Sequence, residues 1–215
     1  MGVIAEGFML LIVNNWFSES DHTKNLERYQ PIADLYASRT GATTIIKGFR
    51  EVSLKSLRAC DGLSGIILGG SPDDYGKYDM QEFAGEYEVI RDCELPILGI
   101  CAGHQLIGFA HGVPVEKTKP KEKGYCEMKI QRRDAIFDGL PDNFVVHEGH
   151  EWEVMRLPKD YVLLASSGAC ELQVIRHRTK PVYGVQFHPE MFTPQYPHGE
   201  AIISNFLKMC VSASA

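Results

Sequence analysis

Apolar residues follow two rhythms along this chain. In the first half, short unbroken apolar runs alternate with longer stretches in which apolar residues recur near helical spacing. Phe8-Met9-Leu10-Leu11-Ile12-Val13 is the first run, and Thr43-Thr44-Ile45-Ile46 is a β-branched second. Gly65-Ile66-Ile67-Leu68 is a third, ending at Gly69-Gly70, and Pro96-Ile97-Leu98-Gly99-Ile100 is a fourth. Between them the spacing predicts helices over about 23–38, stopping at Gly41, over 81–92, and over 102–110. A strand that is apolar at every position has to be covered on both faces. Such strands alternating with helices predict an α/β fold with an open, mostly parallel sheet and helices on both sides.

The second rhythm is shorter. Residues 126–130, 144–146, 161–165 and 172–175 predict brief strands separated by turn residues, an antiparallel excursion at one edge of the sheet. The segment 182–186 returns to a buried strand. Ile202, Ile203, Phe206 and Met209 then share one face of a closing helix predicted over 199–209. No internal repeat, low-complexity tract or interdomain linker interrupts the pattern, and 215 residues fit one domain spanning 1–215.

Composition narrows the classes. An apolar content of 44% with 23% charged residues is that of a globular protein with a sizeable core. A formal charge of −6 without a basic stripe argues against a nucleic-acid partner. No run of 18 apolar residues exists to span a membrane, and the first apolar run is too short, and lacks the basic flank, for a signal segment. The six cysteines (Cys60, Cys93, Cys101, Cys126, Cys170 and Cys210) form no C-x-x-C pair and suggest neither a disulfide framework nor a zinc site. The expected compartment is the cytoplasm, with most of these thiols acting as small buried hydrophobes.

One cysteine stands apart. Gly99-Ile100-Cys101-Ala102-Gly103 has the form G-x-C-x-G directly after an apolar strand and before a helical pattern, the nucleophile-elbow arrangement with cysteine in place of serine. A tight strand-to-helix turn needs small flanking residues, and a cysteine at a helix N-terminus has its thiolate favoured by the helix dipole. A base is supplied by Val185-Gln186-Phe187-His188-Pro189-Glu190, where Pro189 stiffens the loop that carries His188 and Glu190. Glu190 is placed to fix the imidazole as the third member of a triad does. The third piece is Leu68-Gly69-Gly70-Ser71-Pro72. The N–H groups of Gly70 and Ala102 are the candidate oxyanion hole. Taken singly, each motif also fits a plain structural turn.

Together, in this order, the segments Gly69-Gly70-Ser71-Pro72, Gly99-Ile100-Cys101-Ala102-Gly103-His104-Gln105 and Gly184-Val185-Gln186-Phe187-His188-Pro189-Glu190 resemble those of class I (triad-type) glutamine amidotransferases. The resemblance runs over nearly the whole chain, from Asn14 after the first strand to Asn205-Phe206 in the last helix. It implies a flavodoxin-like fold, a Cys101-His188-Glu190 triad, no cofactor, and L-glutamine as substrate, with Gly69, Gln105 and His150 among its contacts. It further implies a synthase or synthetase subunit that receives ammonia, since neither an ATP-pyrophosphatase nor a chorismate-binding region is present. Asp134 to Pro141 and Ile175-Arg176-His177 are most similar to the amidotransferase subunits of GMP synthetases; the glutaminase component of anthranilate synthase is similar around Gly103-His104-Gln105. Departures from the GMP synthetase pattern fall at Lys123-Gly124-Tyr125, at Gly149-His150-Glu151-Trp152, and in the segment 191–198 after the triad. A stand-alone hydrolase of γ-glutamyl compounds with the same fold, and a non-catalytic module retaining it, are the competing readings.

Four further features carry weaker signals. His147-Glu148-Gly149-His150 has H-x-x-H spacing with acids beside it, but a rim role for His150 near the glutamine α-carboxylate fits the resemblance better than a metal site. Trp152 is expected to pack. The basic run 117–123 reads as a solvated loop or a docking face, and Asp73-Asp74-Tyr75-Gly76 as a loop, lid or partner contact.

Overall fold

The computed structural model describes residues 8–17, 22–41, 43–118 and 123–213. Strands and helices alternate through the first half: β1 (Met9–Asn14), α1 (His22–Thr40), β2 (Thr43–Gly48), α2 (Leu54–Arg58), β3 (Leu63–Leu68), α3 (Ala84–Asp92), β4 (Ile97–Ile100) and α4 (Ala102–Ala110). The second half is mostly strand: β5 (Val115–Lys117), β6 (Gly124–Ile130), β7 (Asn143–Glu148), β8 (Trp152–Val154), β9 (Tyr161–Ser166), β10 (Val174–His177) and β11 (Val182–Val185), closed by α5 (His198–Ala213). Nine strands form one sheet in the order β2-β1-β3-β4-β11-β10-β9-β6-β7. Its first five are mutually parallel, and every pairing from β11 to β7 is antiparallel. The expected edge excursion is therefore four strands wide.

The unbroken apolar strands sit where their pattern requires. Side chains alternate faces along a strand, so Leu10 and Ile12 of β1 join one core cluster while Leu11 and Val13 join another. The first cluster is closed by α1 and α5 through Tyr29, Ile32, Tyr36, Ile202, Ile203 and Phe206. The second is closed by α3 and α4 through Val89, Ile90, Leu106 and Ile107. Helices on both faces thus bury β1, β3, β4 and β11, while the edge strand β2 stays partly exposed.

The differences from the sequence pattern have local causes. The helix expected from 81 starts as a 3-10 turn over Met80–Phe83, where the Asp79 carboxylate accepts from the Gln81 N–H, and becomes α-helical only at Ala84. α2 is a single turn capped by Ser53, whose hydroxyl accepts from the Ser56 N–H, and is too short to show a period. β5 and β8 pair only with each other, in a two-stranded ribbon. The strand expected over 172–175 begins at Val174, next to a register irregularity against β9.

The segments that resembled GMP synthetases form a structural lock in the antiparallel half. Asp134 accepts from the Tyr183 hydroxyl at 3.0 Å and pairs with Arg176 at 3.2 Å. The Asn205 amide donates to the carbonyls of Ile136 and Asp138 at 3.1 and 2.8 Å, which pins α5 to the same turn. The segment 191–198 folds into a tight turn closed by Thr193 and Tyr196. Tyr196 stacks on Tyr125 of β6, with ring centroids 4.0 Å apart.

Candidate functional site

β3, β4 and β11 lie side by side, with Leu68 opposite Gly99 and Ile100 opposite Val185. Their carboxyl ends therefore release three loops into one place, the crevice position of open α/β sheets. The middle loop carries Cys101. Its backbone, at φ 49° and ψ −97°, is the one positive-φ non-glycine conformation among the described residues. The turn is held by the Cys101 N–H donating to the Val185 carbonyl at 2.8 Å and by the Cys101 carbonyl accepting from the Gln105 N–H at 3.0 Å. Only glycine fits on either side: a Cβ on Gly99 would lie 2.6 Å from the Gly103 carbonyl oxygen, and one on Gly103 would lie 2.3 Å from the Leu68 carbonyl oxygen. A strained residue persists only where its surroundings over-determine it, and such positions cluster at functional sites.

The two flanking loops bring the other predicted residues to it. A Cβ built on Gly70 would stand 3.0 Å from His188 Cε1 and 3.5 Å from Cys101 Cβ, which sets the glycine loop against both the imidazole and the cysteine side chain. His188 is held by its own N–H, which donates to the His147 carbonyl at 2.8 Å. Its Nδ1 lies 2.9 Å from Glu190 Oε1. All three triad candidates are buried. Burial alone would push the imidazole down, but the charges of Cys101 and Glu190 and hydrogen bonds to both raise it to about 10. Burial works the other way on Glu190, yet His188 and Arg28 hold its carboxyl below the usual range. Gln186 adds a donor, its Nε2 lying 3.8 Å from Cys101 Sγ.

Among the described residues, no other group takes the N–H of Gly70 or of Ala102. Tyr29 donates its hydroxyl to the Gly70 carbonyl at 3.4 Å and so orients that peptide. Gly69 sits behind it with its polar groups engaged: its N–H donates to Val13, and its carbonyl accepts from the Gly103 N–H and from the Asn15 amide. That leaves Gly69 no free polar group for a ligand, and its place is that of a brace for the loop.

Cys101 opens onto a cavity of about 220 Å³. Residues 71–74 form one wall and 149–152 the other, with Gln105 beside Cys101. Gln105 is fully engaged, donating to the Trp152 carbonyl and to Gln186 and accepting from the Tyr75 hydroxyl. Trp152 packs against Tyr75 with centroids 5.1 Å apart while also lining the cavity. Lys117 joins the walls at the mouth, bonded to Asp74 at 3.0 Å and to Glu151 at 3.1 Å. So Lys117, from the basic run of which 119–122 lie outside the described residues, is tied down at the site. His150 lines the same wall. Burial opposes its charge, but hydrogen bonds to Cys170 and Glu148 raise it to about 11. His147 faces His188 instead, with rings 6.3 Å apart. Among the described residues, the side chains that come together in a way that could hold a metal ion are His150, Glu153 and Cys170.

Arg28, on α1, carries no motif and was not singled out by the sequence. Its Nε donates to Glu190 Oε1 at 2.9 Å, and its Nη2 lies 2.7 Å from His188 Nδ1. Nδ1 either donates to Glu190 or accepts from Arg28, so the guanidinium bears directly on the imidazole tautomer.

A buried cysteine, imidazole and carboxylate at the switch of an open α/β sheet, beside two main-chain N–H groups that no other described group takes, are the parts that cysteine-centred acyl transfer requires. Comparison with known proteins narrows the class. The family model of class I glutamine amidotransferases matches residues 34–210. The glutamine-hydrolyzing GMP synthase subunit of Thermoplasma acidophilum is 41% identical over 153 residues, 71% of this chain and 74% of the relative. The protein of the same name from Methanothermobacter thermautotrophicus is 34% identical over 206 residues, 95% of this chain and 100% of the relative. A crystal structure of a putative GMP synthase subunit from T. acidophilum superposes with a TM-score of 0.78 at 29% identity, covering 96% of each chain. The chain belongs to the class I glutamine amidotransferase family.

Proposed function

We propose that this protein hydrolyses the side-chain amide of glutamine and passes the ammonia to a synthase subunit that forms GMP. The observation that carries the reading is the meeting of His188 and Gly70 at Cys101, which itself opens onto an amino-acid-sized cavity. The Cys101 thiolate attacks the carboxamide carbon, and the developing oxyanion is received by the Gly70 and Ala102 N–H groups. Donors so placed are worth about 10²–10³ in rate each. The His188 imidazolium gives its proton to the departing nitrogen, releasing ammonia and leaving a glutamyl thioester on Cys101. His188 then takes a proton from water, which attacks the thioester; glutamate leaves, and the thiolate–imidazolium pair is restored. Glu190 holds the imidazole throughout. Gln105 braces the cavity, and the 149–152 wall with His150 faces the amino-acid end of the substrate. The partner assignment is supported by the names of the two glutamine-hydrolyzing relatives.

The test is glutamate and ammonia release from glutamine, with and without the GMP-forming subunit. Wild type is expected to release both and to speed up with the partner. Cys101→Ala is expected to fall to background with its fold intact; glutamate release retained by that variant removes the reading. Strong hydrolysis of γ-glutamyl peptides with none of glutamine would replace it with a γ-glutamyl hydrolase.

A further inference from the structure

A second cluster of ligating side chains lies behind the 149–152 wall. One donor atom each from His150, Glu153 and Cys170 lies within 4.8 Å of the others, with His150 and Cys170 buried. On a tetrahedral zinc with bonds of about 2.0–2.3 Å, donor atoms stand roughly 3.3–3.6 Å apart. His150 Nε2 is already 3.5 Å from Glu153 Oε1. The other ring nitrogen, Nδ1, is 2.7 Å from Glu148 Oε2. A carboxylate on the far side of a ligating imidazole is the usual outer partner of a metal-bound histidine, fixing its tautomer and raising its basicity. With Nδ1 held this way, Nε2 is the nitrogen left facing Glu153 and Cys170, and it ligates once its proton is displaced. The cluster is oriented from outside too. Glu153 Oε1 accepts from the Thr118 hydroxyl at 2.8 Å, and the Cys170 backbone is fixed in a turn by Ser167.

We infer that Cys170 Sγ, His150 Nε2 and a Glu153 carboxylate oxygen form a binding site for a single zinc-class divalent cation, with Glu148 as the outer partner of the imidazole. A thiolate, an imidazole and a carboxylate are a borderline-soft set, which favours zinc or cobalt over magnesium or calcium. Three protein ligands leave one position for water. Binding releases two protons to solvent, one from the Cys170 thiol and one from His150 Nε2. The cation ties the turn bearing Cys170 to β8 and to the cavity wall, so it is a positioning element for His150 rather than a participant at Cys101. The spacing His150, Glu153, Cys170 matches no metal motif, which is why the sequence carried no sign of it.

The competing thiol is Cys101, so the experiment starts from Cys101→Ser protein, in a thiol-free reductant, titrated with cobalt(II). The expected result is one equivalent bound, with a near-ultraviolet thiolate-to-cobalt charge-transfer band that zinc bleaches. Adding Cys170→Ser is expected to abolish the band in a protein whose circular dichroism is unchanged, and Glu153→Gln to weaken cobalt binding at least ten-fold. No band in the Cys101→Ser protein, or a band that survives Cys170→Ser, overturns the assignment. Should the Cys170→Ser protein fail to fold, unaltered cobalt affinity in Glu153→Gln overturns it equally.

Discussion

At the residue scale the site is governed by how burial and charge are balanced. His188 keeps its proton to about 10 only because Cys101 and Glu190 outweigh its desolvation. A raised histidine loses its proton as pH climbs through that value, and with it the acid that the proposed mechanism uses to protonate the leaving nitrogen. Glu190→Gln removes one of the two charges, so the alkaline limb of the kcat profile is expected to move to lower pH. kcat itself should drop by roughly 10²–10⁴-fold, as for other triad orienters. An unmoved alkaline limb would show that Glu190 does not act on the imidazole. Glu86 poses the opposite case. It is fully buried in α3, and burial raises it to about 8, with only the Asn15 amide opposing. A carboxyl raised on folding costs stability wherever the unfolded chain has ionised and the folded one has not. The loss accumulates from about pH 4.5 to 8. Glu86→Gln is expected to flatten that slope and to gain on the order of 1–3 kcal/mol at pH 7–8, read from denaturant unfolding at several pH values.

At the scale of elements, three strand ends make the site, and each was marked locally in the sequence. Gly69-Gly70, Gly99 to Gly103 and Gln186 to Glu190 are short, and the glycines among them have direct steric reasons to be there. What stayed hidden depends on partners far along the chain. Arg28 reaches Glu190 from 162 positions away, and no local period or motif marks a lone arginine on a helix. β5, β8 and α2 span only three to five residues, too few to show a rhythm. The closing of the cavity mouth is equally non-local, since Lys117 of β5 reaches Asp74 and Glu151 from separate walls. These are exposed pairs, worth little and screened by salt. Lys117→Ala is therefore expected to leave kcat unchanged and to shift KM for glutamine by less than about five-fold, with the shift vanishing at high salt. A large salt-independent loss of kcat would mean that Lys117 has a role in the chemistry.

For the molecule as a whole, the alternation of apolar runs and helical spacing was enough to read the parallel half of the sheet, because buried parallel strands are apolar throughout. The antiparallel half was legible only as a set of short strands. Its width and order are fixed by contacts such as Asp134 with Arg176 and Tyr183, which pair distant segments. Among the described residues no helix is long and apolar enough to cross a membrane. The cysteines divide by setting. Cys93, Cys101, Cys170 and Cys210 are buried and none of the six is in a disulfide, yet Cys101 alone lies at a strained turn that opens onto the cavity. That contrast makes the account testable with one reagent, an electrophilic glutamine analogue whose carbon is placed where the amide would be. After brief exposure, peptide mapping by mass spectrometry is expected to find one adduct per chain, on Cys101, suppressed by excess glutamine. Labelling of another cysteine with Cys101 untouched, or an adduct on Cys101 that glutamine does not suppress, would contradict the claim that this thiol is the group that meets the substrate.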